Sequence, residues 1–222
     1  MEVRIEHIVK RYGRKQVLKD VTLHSCGGRC VGILGANGSG KSTLLSILAG
    51  VLRRGGGSFT VDGQELFSNN RLRADYVGYV PQGTPLLEEL TAWDNLRLWY
   101  DRQTLEQELE SGVLRTLGIG EFLKVPVRKM SGGMKKRLSI GCAMAKRPPI
   151  LLMDEPTAAL DLACKEWILS YLKAYKASGG LILLATHDAL ELELCDHIHI
   201  LKDGVLEQYA YDGDLHKLVQ SL

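Results

Sequence analysis

Eight residues, Gly35-Ala36-Asn37-Gly38-Ser39-Gly40-Lys41-Ser42, constrain this chain more than any other stretch. They fit G-x-x-x-x-G-K-[ST], a pattern that needs a strand before it and a helix after it. Both flanks comply. Cys30-Val31-Gly32-Ile33-Leu34 is a short apolar run that predicts a buried strand. Leu44, Leu45 and Leu48 fall on one helical face, and Gly50 supplies a stop. The glycines let the backbone turn tightly and aim several N–H groups at one point, which makes an anion nest. The helix N-terminus adds its positive end. Such a loop holds the phosphates of a nucleotide. Lys41 brings a mobile positive charge to the β- and γ-phosphates, and the Ser42 hydroxyl is placed to reach Mg²⁺.

At 222 residues the chain has room for one large α/β domain with a smaller subdomain. Residues 1 to about 30 read as β-rich, with Val3, Ile5, Val17, Val21 and Leu23 at strand spacing and Gly27-Gly28 as a turn. Residues 58–61 predict a strand closed by Asp62-Gly63, and 76–80 another stopped by Pro81. From about 84 to 146 the pattern becomes helical. Thr91 with Asp94 is a variant capping box, and Thr104 with Gln107 fits the box itself, in a helix that Gly118 and Gly120 end. Residues 150–153 predict a buried strand, followed by a helix through Leu160, Cys164, Ile168 and Leu172. Residues 181–184 read as a further strand and 197–206 as a hairpin. The tail, 212–222, reads as an amphipathic helix with Leu215, Leu218 and Val219 inward. Strands alternating with helices imply a parallel sheet covered on both faces.

Several classes are disfavoured. A net charge of +2 is too weak to argue for nucleic acid as a partner. Eighteen apolar residues never run together, so no segment predicts a membrane-spanning helix. The start, Met1 to Glu6, alternates like a strand rather than a signal peptide. Five scattered cysteines lack zinc-site spacing and read as buried, reduced thiols.

Four further positions carry chemistry. Asp154-Glu155 follows an apolar strand, where ligands of open α/β sheets gather. Asp154 can hold Mg²⁺, and Glu155 can accept a proton from an attacking water. Gln82, at a strand end, can both donate and accept hydrogen bonds, which suits contact with Mg²⁺, water or phosphate. His187, just past a strand, could donate to the γ-phosphate. Ser131-Gly132-Gly133 opens a helix running to about Ala145 with a hydroxyl and free N–H groups, a second anion site. Two such sites suit a nucleotide shared between two copies of the chain.

As a set, these residues resemble the ATP-binding subunit of ABC transporters over nearly the whole chain. By that resemblance Gly35, Asn37, Gly38, Ser39, Gly40, Lys41, Ser42 and Thr43 form the Walker A contacts to ATP, and Gln82 is the Q-loop. Met130-Ser131-Gly132-Gly133-Met134 occupies the signature position. Residues 150–155 look like Walker B with its catalytic glutamate, 158–161 like the D-loop ending in Asp161, and His187 like the switch histidine. Tyr12 fits the aromatic that stacks on adenine. The implied fold is an α/β P-loop NTPase: a RecA-like, mostly parallel sheet, an N-terminal antiparallel β subdomain and an inserted helical subdomain. Its catalytic core with the β subdomain spans 1–83 and 147–222, and its helical part 84–146.

The implied ligands are ATP and Mg²⁺. The implied partners are transmembrane permease subunits on separate chains and a second ATPase, as an ATP-dependent homodimer or a heterodimer, on the cytoplasmic face of the membrane. The signature departs from L-S-G-G-Q at Met130 and Met134, and Ala158 stands where Ser or Thr is more usual. S-G-G-M-K-x-R resembles the exporter branch that handles drugs, polyketides and polysaccharides. Two other readings stay open. A non-transport ABC ATPase acting as a nucleotide switch would ordinarily carry coiled-coil insertions or a tandem second ATPase domain. A small-molecule kinase would leave Ser131 and His187 without a role.

Overall fold

The computed structural model describes residues 1–221, and of Leu215 and Val219 the backbone alone. Two long antiparallel strands open the chain, β1 (Glu2–Tyr12) and β2 (Lys15–Cys26). Their alternation explains them, since Val3, Ile5, Ile8, Leu18, Val21 and Leu23 are buried between exposed neighbours. The fully buried strand β3 (Cys30–Leu34) runs into the glycine loop, and helix α1 (Lys41–Ala49) follows. Gly50 ends α1 at φ 82°, its N–H bonded to the carbonyls of Ile47 and Ser46.

Next come β4 (Gly56–Val61), β5 (Gln64–Glu65), α2 (Asn70–Tyr76) and β6 (Val77–Val80). The helical stretch holds α3 (Ala92–Arg97), α4 (Arg102–Ser111), α5 (Val113–Thr116), two 3-10 turns and α6 (Gly132–Ala143). The chain returns through β7 (Ile150–Asp154), α7 (Leu162–Ala177), β8 (Leu181–Ala185), α8 (Ala189–Leu192), β9 (His197–Lys202), β10 (Val205–Tyr209) and α9 (Leu215–Ser221).

One sheet collects all ten strands in the order β5-β4-β1-β2-β10-β9-β3-β8-β7-β6. The run β9-β3-β8-β7-β6 is parallel throughout, and β5-β4-β1-β2 is antiparallel. Central strands are buried on both faces. Ile150 and Leu152 of β7 pack with Leu44, Leu45 and Leu48 of α1, while Leu151 and Met153 pack with the helices of 92–144 and α7. The same alternation sends Leu181 and Leu183 to one face and Ile182 and Leu184 to the other. Because β3, β6, β7 and β8 are parallel, their carboxyl ends share one edge. That edge carries the glycine loop, Gln82, Asp154-Glu155 and His187.

Several boundaries differ from the sequence reading. Tyr76 closes α2 rather than opening a strand, and α2 itself buries no residue, so its sequence has no core-facing stripe to read. The cap of α4 is Asp101, whose carboxylate accepts from the N–H and hydroxyl of Thr104. Thr104 is therefore the third helical residue, not the cap. Gly112 breaks that helix earlier than Gly118, which adopts φ 61° before the first 3-10 turn. Leu160 lies outside α7, because Asp161 caps it by accepting from the Cys164 N–H at 2.9 Å. Of the cysteines only Cys30 is buried; Cys26 is exposed and the others are half-buried, all unbridged. Leu218 of the tail is buried, whereas the inward placing of Leu215 and Val219 lies outside the described residues.

Candidate nucleotide site

The glycine loop is held open by its backbone. Gly35, Gly38 and Gly40 take φ of 150°, 80° and 114°. A methyl group on Gly35 would meet the Leu201 carbonyl at 2.4 Å. Helix α1 starts without a side-chain cap, and its first intrahelical bond runs from the Leu44 N–H to the Gly40 carbonyl. The earlier N–H groups therefore face the opening, as an anion site requires. The Lys41 ammonium donates to the Gly35 carbonyl at 2.6 Å and to that of Ala36 at 3.3 Å. Burial lowers the Lys41 pKa, and the carboxylates of Glu155 and Asp154 oppose that shift.

A cavity of about 470 Å³ lies over the loop. It is lined by Asn37, Gly38, Gly40, Lys41, Ser42 and Thr43, together with Gln82 and Glu155 across from them. Val17 on β2 is a wall that the sequence reading missed.

Glu155 stands at the centre of the polar contacts. Its φ of 47° is an unusual left-handed conformation for a side chain of this size, and its N–H is anchored on the Ala185 carbonyl at 2.8 Å. The Gln82 amide donates to Glu155 Oε2 at 2.8 Å, and His187 Nε2 lies 3.8 Å from Oε1. Burial, then the Lys41 charge, lower the His187 pKa against the pull of Glu155. Its imidazole is thus biased to the neutral form, with one N–H to donate.

Neighbours fix this arrangement. The Thr157 N–H donates to buried Glu191 at 2.9 Å, tying the turn after Glu155 to α8. Asp188, beside His187, caps α8 and pairs with Lys165 of α7. Asp154 is 3% exposed, and burial raises its carboxyl pKa, with the Ser42 hydroxyl and the Lys41 and Lys136 charges pulling the other way. Ser42 and Asp154 offer oxygen donors only, the kind that suits Mg²⁺. Among the described residues no cluster of three or more His, Cys, Asp or Glu gathers as a metal site, so these two would need phosphate and water oxygens to complete a shell.

Of the expected contributors, Gly35, Ser39, Asp154 and His187 do not line the cavity, nor do Tyr12, Asp161 and residues 131–133. Tyr12, at the end of β1, is 47% exposed with the Lys10 ammonium 5.0 Å from its ring centre. Asp161 spends its carboxylate on the α7 cap. Ser131 caps α6 through the Met134 N–H at 3.2 Å, and both Ser131 and Gly132 are exposed. Gly133 is different, because it is buried and faces α7. A methyl group there would sit 2.2 Å from Cys164 Sγ and 3.0 Å from its Cβ. Gly133→Ala should therefore lower unfolding stability by about 1–3 kcal/mol, the usual range for overpacking. Adding Cys164→Ala should recover part of that loss, measured by denaturant unfolding of both variants. Full stability of the single variant would contradict the close approach.

Residues 18–158 match the family described as ABC transporter. The linearmycin resistance ATP-binding protein LnrL of Bacillus subtilis is 34% identical over 215 residues, covering 95% of this chain and 69% of that protein. The lantibiotic transport ATP-binding protein SrtF of Streptococcus pyogenes is 30% identical, over 95% of this chain and 92% of that protein. Among solved structures, a dimeric ATP-binding cassette in a post-hydrolysis state with ADP and Pi superposes with a TM-score of 0.79. It is 28% identical and covers 94% of this chain and all of that one.

Proposed function

The chain belongs to the ABC transporter family as an ATP-binding, ATP-hydrolysing subunit, and on that premise we propose that two protomers close face to face on two ATP molecules to power export through separate membrane-spanning chains. One observation carries the two-protomer reading. The cavity holds the glycine loop, Gln82 and Glu155, while the second anion-ready helix end, Ser131-Gly132, is exposed and lines no part of it. A second protomer facing the first, identical or related, would bring each exposed cap to the other's cavity. Gly133, though buried, contributes its amide to that cap.

Within each site Gly35, Gly38, Ser39, Gly40 and the N–H groups of Lys41, Ser42 and Thr43 cradle the phosphates, with Asn37 at the rim and Lys41 leaving its carbonyl perch to bind them. Ser42 and Asp154 are the residues that would hold Mg²⁺, assisted by Gln82; the ion supplies charge neutralisation at the phosphate oxygens. Glu155 takes a proton from the attacking water, and neutral His187 donates to the γ-phosphate. Tyr12 is exposed enough to stack on the base, and Asp161, through the α7 cap it forms, sets the turn that would complete the nucleotide site. The helical part, 84–146, presents the Ser131 cap, and the core, 1–83 with 147–222, binds the nucleotide.

Among the described residues no helix is long and apolar enough to cross a membrane. In the proposed reading the work on a membrane belongs to other chains, with this subunit peripheral on the cytoplasmic face. The transport and resistance roles of the two relatives and the S-G-G-M-K-x-R pattern support export. Purification of the tagged chain from detergent-solubilised membranes of its own cell tests this. A polytopic membrane protein should co-purify, with ATP hydrolysis in the complex. Recovery with ribosomes or DNA instead would favour a nucleotide switch without transport.

A further inference from the structure

Two buried cations of α6 are left over once the nucleotide site is built, Arg137, which donates to the Leu117 carbonyl, and Lys136, which reaches towards the site. Lys136 of α6 is 4% exposed, within the basic run Lys135-Lys136-Arg137. Its ammonium donates to the Pro81 carbonyl at 3.0 Å and the Gln82 carbonyl at 2.9 Å. These carbonyls lie just past the end of β6. A buried ammonium is expensive unless it is paired or well bonded. Here Asp154, Glu191 and Glu155 favour its charge against burial.

The two ends of this link matter. Ser131, the exposed cap of α6, lies five residues before Lys136, ~7.5 Å along one rigid helix. Gln82, whose carbonyl Lys136 holds, sends its amide to Glu155 Oε2 at 2.8 Å. A continuous path of covalent and hydrogen bonds therefore runs from the anion-ready end of α6, through Lys136 and Gln82, to Glu155.

We infer that Lys136 is a positioning residue that couples the two nucleotide sites of the dimer, by tying the helix that caps the partner's nucleotide to the Gln82 loop of its own site. The inference rests on the two-protomer reading above. Phosphate held at Ser131 fixes α6, α6 fixes the Gln82 backbone, and Gln82 then sets the orientation of Glu155. A charged donor with a long stem is needed because the carbonyls and the helix sit on different elements of the fold.

The test uses the full chain. Lys136→Met keeps the stem and removes the donors. It should lower kcat at saturating Mg-ATP by about 10²-fold, the loss that a misplaced reacting group gives. Binding of a fluorescent ATP analogue to the monomer, by contrast, should stay within about twofold. Lys136→Arg, which keeps charge and donors, should restore most of kcat. In a Glu155→Gln background, Lys136→Met should raise the ATP concentration needed for dimer formation by about 5–150-fold, a typical coupling. Should Lys136→Met not fold, Lys136→Gln, which removes the charge and shortens the stem but keeps an amide donor, should show the same losses in smaller measure. Unchanged kcat together with an unchanged ATP requirement for dimerisation would overturn the coupling and leave the two-protomer reading standing. Failure of Glu155→Gln alone to dimerise would instead overturn that reading, and the inference with it.

Discussion

Glu155→Gln is expected to reduce ATP hydrolysis by roughly 10²–10⁴, the contribution of a general base. The substitution changes little else. Glutamine matches the shape of glutamate, can adopt the same φ of 47°, and keeps a carbonyl oxygen to accept from the Gln82 amide. What disappears is the ability to take a proton from water. The glycine loop, Lys41 and the start of α1, proposed above to hold the phosphates, are untouched. Binding therefore outlasts chemistry, and the variant should accumulate as an ATP-bound dimer. Phosphate-release kinetics and size-exclusion chromatography with saturating Mg-ATP read both effects. Turnover near that of the unsubstituted chain would remove Glu155 from the role of base.

The positions that converge on this chemistry were legible because the sequence states them in runs. Buried strands with both faces covered are continuous apolar stretches, as at 30–34, 150–153 and 181–184, and each leads directly or shortly to a candidate site residue, Gly35, Asp154 or His187. The cavity brings Gln82 and Glu155 to the glycine loop, as parallel strand order requires, with His187 beside Glu155. Supporting contacts were not legible. Lys136 sits between Lys135 and Arg137, and no local pattern separates a lysine that will be buried from its half-buried neighbour Lys135. Glu191 likewise reads as one acid on an amphipathic turn, yet only the fold brings it under Thr157. The misplaced α4 cap has a local cause. Asp101 and Thr104 both suit an N-cap, and the aspartate wins by accepting from the backbone and hydroxyl of the threonine at once. Gly133 was read for its amide alone, because a close approach to Cys164 thirty-one residues later has no signature in sequence.

Asp154→Asn separates what this residue does for the fold from what it does for the ligand. The carboxyl is 3% exposed, and burial lifts its pKa above the unfolded value of 3.8, only partly offset by the Ser42 hydroxyl and the Lys41 and Lys136 charges. A group whose folded pKa is raised releases its proton more readily in the unfolded chain. Its burden on the nucleotide-free fold is absent below the unfolded value. It grows as pH rises through the window between the two values, and is complete above the folded one. Asparagine keeps the shape of aspartate and cannot ionise. At pH 7 without nucleotide, the variant should melt about 2–4 °C higher, the shift that ~1 kcal/mol gives in a domain of this size. That gain should shrink as pH falls towards 4. Mg-ATP hydrolysis should fall by about 10² or more, because an oxygen donor for the cation has lost its charge. Thermal melts across pH, beside turnover at saturating Mg-ATP, decide the matter. A variant less stable than the parent at pH 7 would mean that the carboxylate serves the fold. The opposite pair of results means that the acid is kept, against the interest of the empty protein, for the ion it receives.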